Sequence, residues 1–192
     1  MRVIHVSTAD TWRGGEQQIA YLFDELSDQI DQWIFCAADS RIELNCKLYQ
    51  RNHVAYPKKS SMSLKFSRRL AEVAKEKAAD IIHVHDSHAH TFAVIASRFF
   101  GMSQPIILHR RVDYRVSSNW FSHYKYNYTQ IKKIICVSKE VKRILDDSIT
   151  DTSRSMIIHD GVEYALRVTI FDSFGEDAFR VTLRTVSSSP QA

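Results

Sequence analysis

The 192-residue sequence predicts an α/β fold, a doubly wound, mainly parallel sheet covered by helices on both faces. Three observations carry this expectation. Short apolar runs rich in β-branched residues recur along most of the chain. Segments with apolar residues at helical spacing stand between them. Clusters of polar residues follow the runs at their C-terminal ends. Short continuous apolar runs suit strands buried on both faces, and alternation with helices supplies the crossovers that parallel pairing requires.

The elements follow in order. Arg2-Val3-Ile4-His5-Val6-Ser7 reads as a buried strand, followed by a loop containing Gly14-Gly15. Ile19, Leu22, Phe23, Leu26 and Ile30 then recur at the spacing of one helix face. Trp33–Ala37 and the weaker run His53–Tyr56 are the next strands. Phe66, Leu70, Val73, Ala74 and Ala78 mark an amphipathic helix, with Lys65, Arg68, Arg69, Lys75 and Lys77 mostly off the apolar stripe. Ile81–His85 is a strand, Thr91–Phe100 a helix closed by Gly101, and Pro105–Leu108 opens another strand. The aromatic stretch Trp120–Tyr128 fits no single period. Ile134–Ser138 is a sixth strand, and Ser138 is placed to cap the next helix, with Glu140 in its first turn. Met156–Ile158 is the seventh, ending at His159-Asp160-Gly161. From Tyr164 the rhythm breaks. Leu166–Phe171 and Phe179–Val186 alternate at period two around Asp172-Ser173-Phe174-Gly175, so the tail is a hairpin or a frayed end.

Composition narrows the class. At 44% hydrophobic and 25% charged residues the chain is of ordinary globular type, and five Gly and three Pro exclude collagen-like or linker-dominated sequences. No apolar run approaches the ~18–20 residues that span a bilayer. The N-terminus lacks a signal-peptide apolar stretch, so the expected compartment is the cytoplasm. Three cysteines without a C-x-x-C pair argue against a disulfide framework or a structural zinc site. The formal charge of +4 is uneven: seven basic and two acidic residues lie between Pro57 and Ala79, six and one between His109 and Lys133. Two basic patches on an otherwise acidic chain suit an anionic partner, or else are solvated faces.

In open parallel sheets, ligands bind beyond the carboxyl ends of the strands. Four polar clusters sit there: Ser7–Glu16, His85–His90, His109–Asp113 and Ser138–Glu140. Arg13-Gly14-Gly15-Glu16 lets the backbone approach a ligand and offers free amides at a helix start, although a plain tight turn explains a glycine pair equally well. His83 and His85 share one strand face. Cysteine and glutamate ligands are missing nearby, so a general base or polar ligand contact is expected rather than a metal, with a hydrogen-bonded structural histidine as the competing reading. Arg110 and Arg111 bring guanidinium forks suited to phosphate or carboxylate, with a structural pairing to Asp113 as the competing reading.

Taken together these residues resemble the N-terminal domain of a GT-B glycosyltransferase of glycosyltransferase family 4. The matching pieces are Val3-Ile4-His5-Val6, Trp12-Arg13-Gly14-Gly15-Glu16-Gln17-Gln18, Asp80-Ile81-Ile82-His83-Val84-His85, His109-Arg110-Arg111-Val112-Asp113, Ile135-Cys136-Val137-Ser138 and Ile158-His159-Asp160-Gly161-Val162-Glu163. The W-R-G-G-E and R-R-V-D variants are similar to bacterial members acting on cell-surface polysaccharide or lipopolysaccharide core. The resemblance implies a Rossmann-like domain over residues 1–163, with 164–192 a separate tail and the nucleotide-sugar domain, including its E-x7-E motif, absent. It implies a nucleotide-sugar co-substrate, a saccharide or lipid-linked acceptor, no metal or other cofactor, and peripheral attachment to the inner face of an anionic membrane. By the same resemblance, His85 is the catalytic contact, and Gly14, Gly15, Glu16, Arg110, Arg111, Asp113 and Ser138 bind donor phosphates or substrate. The chain alone is expected to be inactive. A non-catalytic module binding an anionic saccharide or lipid is the alternative. Nucleic acid is not an expected partner, because the basic residues follow no nucleic-acid motif.

Overall fold

The computed structural model describes residues 1–117 and 119–161, together with two short strands at 164–165 and 184–185. The chain divides into two compact units, Met1–His159 and Asp160–Ala192.

In the first unit, seven strands form one sheet: β1 (Arg2–Ser7), β2 (Asp31–Ala37), β3 (His53–Tyr56), β4 (Ile81–Val84), β5 (Ile106–Arg110), β6 (Ile131–Cys136) and β7 (Ser155–Ile157). Their order is β3-β2-β1-β4-β5-β6-β7 and every pairing is parallel. Six helices connect them: α1 (Gly14–Glu25), α2 (Arg41–Leu48), α3 (Leu64–Glu76), α4 (Ser87–Phe100), α5 (Trp120–Tyr126) and α6 (Lys139–Asp146). This is the doubly wound fold that the apolar runs predict.

Strand residues alternate between two faces. Ile4, Val6, Phe35, Ile82, Val84, Ile106 and Leu108 pack with Phe66, Leu70 and Val73 of α3 and Phe92 of α4. Phe66 sits between two other rings, 4.9 Å from Phe35 and 4.6 Å from Phe92 by centroid. On the opposite face Ile34 and Cys36 meet Ile19 and Phe23 of α1 and Ile42 and Cys46 of α2. Cys36, Cys46 and Cys136 are all buried thiols, serving as small apolar side chains.

Several boundaries differ from the sequence reading. Helix α2 was not expected: only Ile42 and Cys46 turn inward, while Leu44 and Leu48 are exposed, so its apolar stripe is too thin to stand out. Its start is fixed by Ser40, whose hydroxyl accepts the Glu43 amide. Gly14-Gly15 lies in the first turn of α1 rather than in a loop, and α1 ends before Leu26 and Ile30. Helix α4 begins at Ser87, four residues early, because the Asp86 carboxylate accepts the His88 and Ala89 amides at 2.9 and 2.8 Å. The aromatic stretch becomes α5, capped by Asn119. Gly101 closes α4 at φ 71°, a left-handed position suited to glycine.

The connection that matters for the site is the reversal at β1. The chain winds from β1 outward through β2 to β3, then returns through α3 to place β4 on the other side of β1. The loops leaving β1 and β4 therefore diverge, and a crevice opens between them.

In the second unit, β8 (Tyr164–Ala165) pairs antiparallel with β9 (Arg184–Thr185). The remainder of the period-two tail lies outside the described residues.

Candidate functional site

The crevice beyond β1, β4 and β5 holds a cavity of about 410 Å³. Of the residues singled out from the sequence, Gly15, Glu16, His85, Arg110 and Arg111 line it. Gly14, Asp113 and Ser138 do not. Gly14 is exposed at the first position of α1. Asp113 is exposed and, among the described residues, forms no ion pair with Arg110 or Arg111, which removes the structural pairing considered above. Ser138 caps α6 as its position predicts: its hydroxyl accepts the Val141 amide at 3.2 Å.

The α1 end of the cavity is built from the chain leaving β1. Glu16 is buried; its Oε2 accepts the Arg13 amide at 3.0 Å and the Ser7 hydroxyl donates to its Oε1 at 3.4 Å. A guanidinium at the N-cap cannot accept in return, so the amides of Gly14, Gly15 and Glu16 open the helix without a side-chain cap. A Cβ added at either glycine would meet nothing within 4 Å. Neither glycine is demanded by packing or by its φ, and the space above the first turn is open.

At the centre, His5 of β1 stands opposite His83 of β4 in register. His85 follows on the same face, and His109 of β5 completes a cluster in which His83 and His109 rings stack at 5.6 Å. As a catalytic contact, His85 should face the cleft. It borders the cavity, yet it is only 7% exposed and its ring lies 4.1 Å from His83 and 5.4 Å from His5. The reason is the parallel register, which stacks the imidazoles of three adjacent strands on one face.

Hydrogen bonds fix the protonation pattern. The Gln32 Nε2 donates to the Phe23 carbonyl at 2.9 Å, so Gln32 Oε1 faces His5 Nε2 at 3.1 Å, which must carry a proton. His5 Nδ1 is then an acceptor, and the group 3.1 Å from it, His85 Nε2, is the donor. That leaves the lone pair of His85 on Nδ1, 3.5 Å from Arg111 Nη1. Burial lowers the His5 pKa to about 4, partly opposed by the Gln32 hydrogen bond. Burial likewise pushes His83 and His85 well below the ordinary histidine value, with neighbouring imidazoles and Arg111 acting in the same direction. All three are neutral at pH 7.

Ring nitrogens of His5, His83 and His85 lie within 4.8 Å of one another, a set that could hold a divalent d-block cation. Two features oppose it: the His5–His85 hydrogen bond occupies one of the lone pairs, and Arg111 adds positive charge beside it. His5 escaped the sequence reading because its partners are about 80 residues away; only the strand order brings them together.

The far end of the cavity comes from β5 and α5. Arg110 is 3% exposed; its Nη1 donates to the Tyr126 hydroxyl at 2.6 Å and its Nη2 to the Tyr114 carbonyl. Lys125, 7% exposed, lies 3.3 Å from both the Ser87 and Thr91 hydroxyls. Burial lowers its pKa, aided by Arg110 and opposed by Asp86. Lys125, Tyr126 and Ser122 were missed as site residues because α5 could not be assigned. Its signal, in hindsight, was Asn119 as a cap before an apolar–aromatic turn.

Comparison with known proteins places the chain. The sequence pattern of Glycosyltransferase Family 4 matches residues 12–166. No curated protein matches it in sequence. The Anabaena protein HepE, crystallised with UDP-glucose, superposes with a TM-score of 0.66 at 15% identity, over 85% of this chain and 44% of that one. A glycosyltransferase from Rickettsia africae gives 0.64 at 19% identity, over 84% and 43%. The lipopolysaccharide outer core galactosyltransferase WaaB gives 0.63 at 13%, over 85% and 46%. The chain thus spans less than half the length of the structures it resembles.

Proposed function

This chain belongs to glycosyltransferase family 4, and from that premise we propose that it is the acceptor-side half of an enzyme moving a sugar from a nucleotide-sugar donor to a saccharide or lipid-linked acceptor at the cell surface. The observation that carries the proposal is the position of His85 in the order β1-β4-β5. It stands between an uncapped helix start on one side and buried cations on the other, at the mouth of one cavity.

In this reading the amides of Gly14, Gly15 and Glu16 face the donor diphosphate, which the partial positive charge of a helix N-terminus favours. Most of the nucleotide is held by a second domain across the cleft, so transfer needs both halves. His85, neutral and with its lone pair on Nδ1, accepts a hydrogen bond from a sugar hydroxyl. Its ring then polarises as positive charge develops on the sugar in the transition state. Help of this kind contributes ~10²–10⁴-fold. Arg110 and Arg111 orient anionic substrate groups, and no metal is required. The likeness to WaaB supports a lipopolysaccharide-type acceptor, and HepE with UDP-glucose supports a uridine nucleotide. The basic helix α3 and the exposed Trp120 support peripheral attachment to an anionic membrane.

The test is calorimetric titration with UDP-, GDP- and ADP-glucose, alone and with the C-terminal half of a family member joined to residue 166, followed by sugar release into lipopolysaccharide precursors. One nucleotide sugar should bind the joined protein and be turned over. Saccharide binding without transfer by any joined protein would make the chain a non-catalytic binding module instead.

A further inference from the structure

Two cations at the α5 end of the cavity are out of water without an ion-pair partner among the described residues. Among the described residues no carboxylate lies within ion-pair distance of Arg110 or Lys125. Arg110 donates only to a phenol and a carbonyl and lies over the Tyr126 and Tyr114 rings at 5.4 and 5.9 Å, and its Nε is buried with no hydrogen-bond partner. Lys125 meets only the Ser87 carbonyl and the Ser87 and Thr91 hydroxyls, at 3.3–3.4 Å. The two acidic residues that line the cavity are already committed. Asp86 accepts from the Thr8 amide and hydroxyl at 2.6 and 2.8 Å while capping α4. Glu16 holds Ser7 and the Arg13 amide. The lining as a whole has five cationic side chains against two carboxylates.

Burying an uncompensated charge costs several kcal/mol. Packing does not require it here, since an apolar residue of similar length would fill the place of Lys125. A fold keeps such a pair where a ligand supplies the missing charge. We propose that Arg110 and Lys125 form a subsite for a phosphate monoester carried by the acceptor, so that the acceptor is a phosphorylated saccharide. This rests on the glycosyltransferase reading for the word acceptor, but not for the anion site itself.

Three features select the ligand. A planar guanidinium and a point-charge ammonium, with Ser87, Ser117 and Ser122 also lining the cavity, offer more donors than the two oxygens of a carboxylate can use, whereas a phosphate monoester has three terminal oxygens. The volume of about 410 Å³ falls in the range of small-molecule pockets. The sheet order places β4, with His85, between the α1 helix start that follows β1 and Arg110 on β5. An anion at Arg110 and Lys125 is therefore across His85 from the helix start that the proposed function gives to the donor phosphates.

Titration of the 192-residue chain decides the matter, with glucose 6-phosphate, glucose, inorganic phosphate and UDP as probes. Glucose 6-phosphate should bind at least about tenfold more tightly than glucose and more tightly than inorganic phosphate, which would hold the anion without the ring. Arg110→Gln and Lys125→Met should each weaken glucose 6-phosphate about tenfold or more and leave UDP unchanged. Lys125→Met should also raise the Tm of the unliganded chain, because it removes an unpaired buried charge, and this variant keeps the test open if Arg110→Gln fails to fold. Equal binding of glucose and its phosphate, folded variants that bind as wild type, a fall in UDP affinity in step with the sugar phosphate, or a lowered Tm for Lys125→Met would each overturn the subsite. A sound subsite with no transfer by the joined protein would instead count against the transferase reading.

Discussion

His85 illustrates how one residue divides its work between chemistry and stability. Its Nε2 is held by His5, and its Nδ1, 3.5 Å from Arg111 Nη1, is the atom a ligand hydroxyl would have to take over. His85→Ala in the joined enzyme should therefore lower turnover by ~10²–10⁴-fold, and it should also lower Tm, because a buried hydrogen bond and ring contacts go with it. His83 is the control. Its Nε2 is buried without a hydrogen-bond partner and it does not line the cavity. His83→Ala should cost stability with turnover within a fewfold of wild type, read from Tm and sugar transfer together. A second expectation concerns acid. The folded-state pKa of His5 is near 4 against an ordinary value near 6.5, so below pH 6.5 the unfolded chain binds protons that the folded chain refuses. Stability should be full above pH 6.5, fall as pH drops toward 4, and level off below. His5 alone accounts for about 3 kcal/mol at ~1.4 kcal/mol per pH unit. Urea melts at pH 7, 5.5 and 4.5 check this, and a shallower fall for His5→Phe would identify its share, the remainder coming from the other buried histidines, His83 and His85 among them.

At the scale of elements, the strands and the helices α1, α3, α4 and α6 were legible because each carries a dense apolar pattern. Helix α2 and helix α5 were not: one turns only Ile42 and Cys46 inward, and the other is short and aromatic on several sides. The site was legible by half. His85, Arg110 and Arg111 end or directly follow strands, and Gly15 and Glu16 open the helix after β1, so strand direction collects them. Lys125 and His5 depend on α5 and on strand order, which pattern does not reveal. Ser138 was legible as a cap, and its hydroxyl is spent on that. Ser138→Ala should cost about 1 kcal/mol and leave ligand binding unchanged. Gly101→Ala should cost about 1–2 kcal/mol through its left-handed φ of 71°. Chemical denaturation of both variants, with the titration above run in parallel, separates structural from binding roles.

Across the whole molecule the two basic patches part company. On α3 the charge is partly spent internally, as Arg68 and Arg69 pair with Glu72 and Glu76 at 2.6–3.3 Å. Lys65 and Lys75 remain exposed there, next to exposed Met62 and Leu64. The second patch, like the first, was read as suited to an anionic partner or as a solvated face. The structure buries Arg110 and Lys125 around the cavity and half-buries Arg111, leaving Arg115, Lys132 and Lys133 exposed. Binding to anionic vesicles should therefore depend on α3. Lys65→Glu with Lys75→Glu should abolish most of it, and raising salt from about 0.1 to 0.5 M should weaken it, because each basic residue near such a surface contributes ~1 kcal/mol within a Debye length. Equal binding to neutral vesicles would make the patch an ordinary solvated face. Described residues include no helix long and apolar enough to cross a membrane.

The clasp between Thr8 and Asp86 joins residues 78 apart in sequence. Closing so long a loop is entropically costly and brings no reward until the intervening strands and helices are in place. The crevice is therefore expected to assemble late, with the Thr8–Asp86 contact absent from the folding transition state. Asp86→Ala should accordingly quicken unfolding in stopped-flow chevrons while leaving the folding limb nearly unmoved. A protein built this way opens first where it binds, so ligands filling the cavity would lengthen the lifetime of the native state far more than they speed its formation.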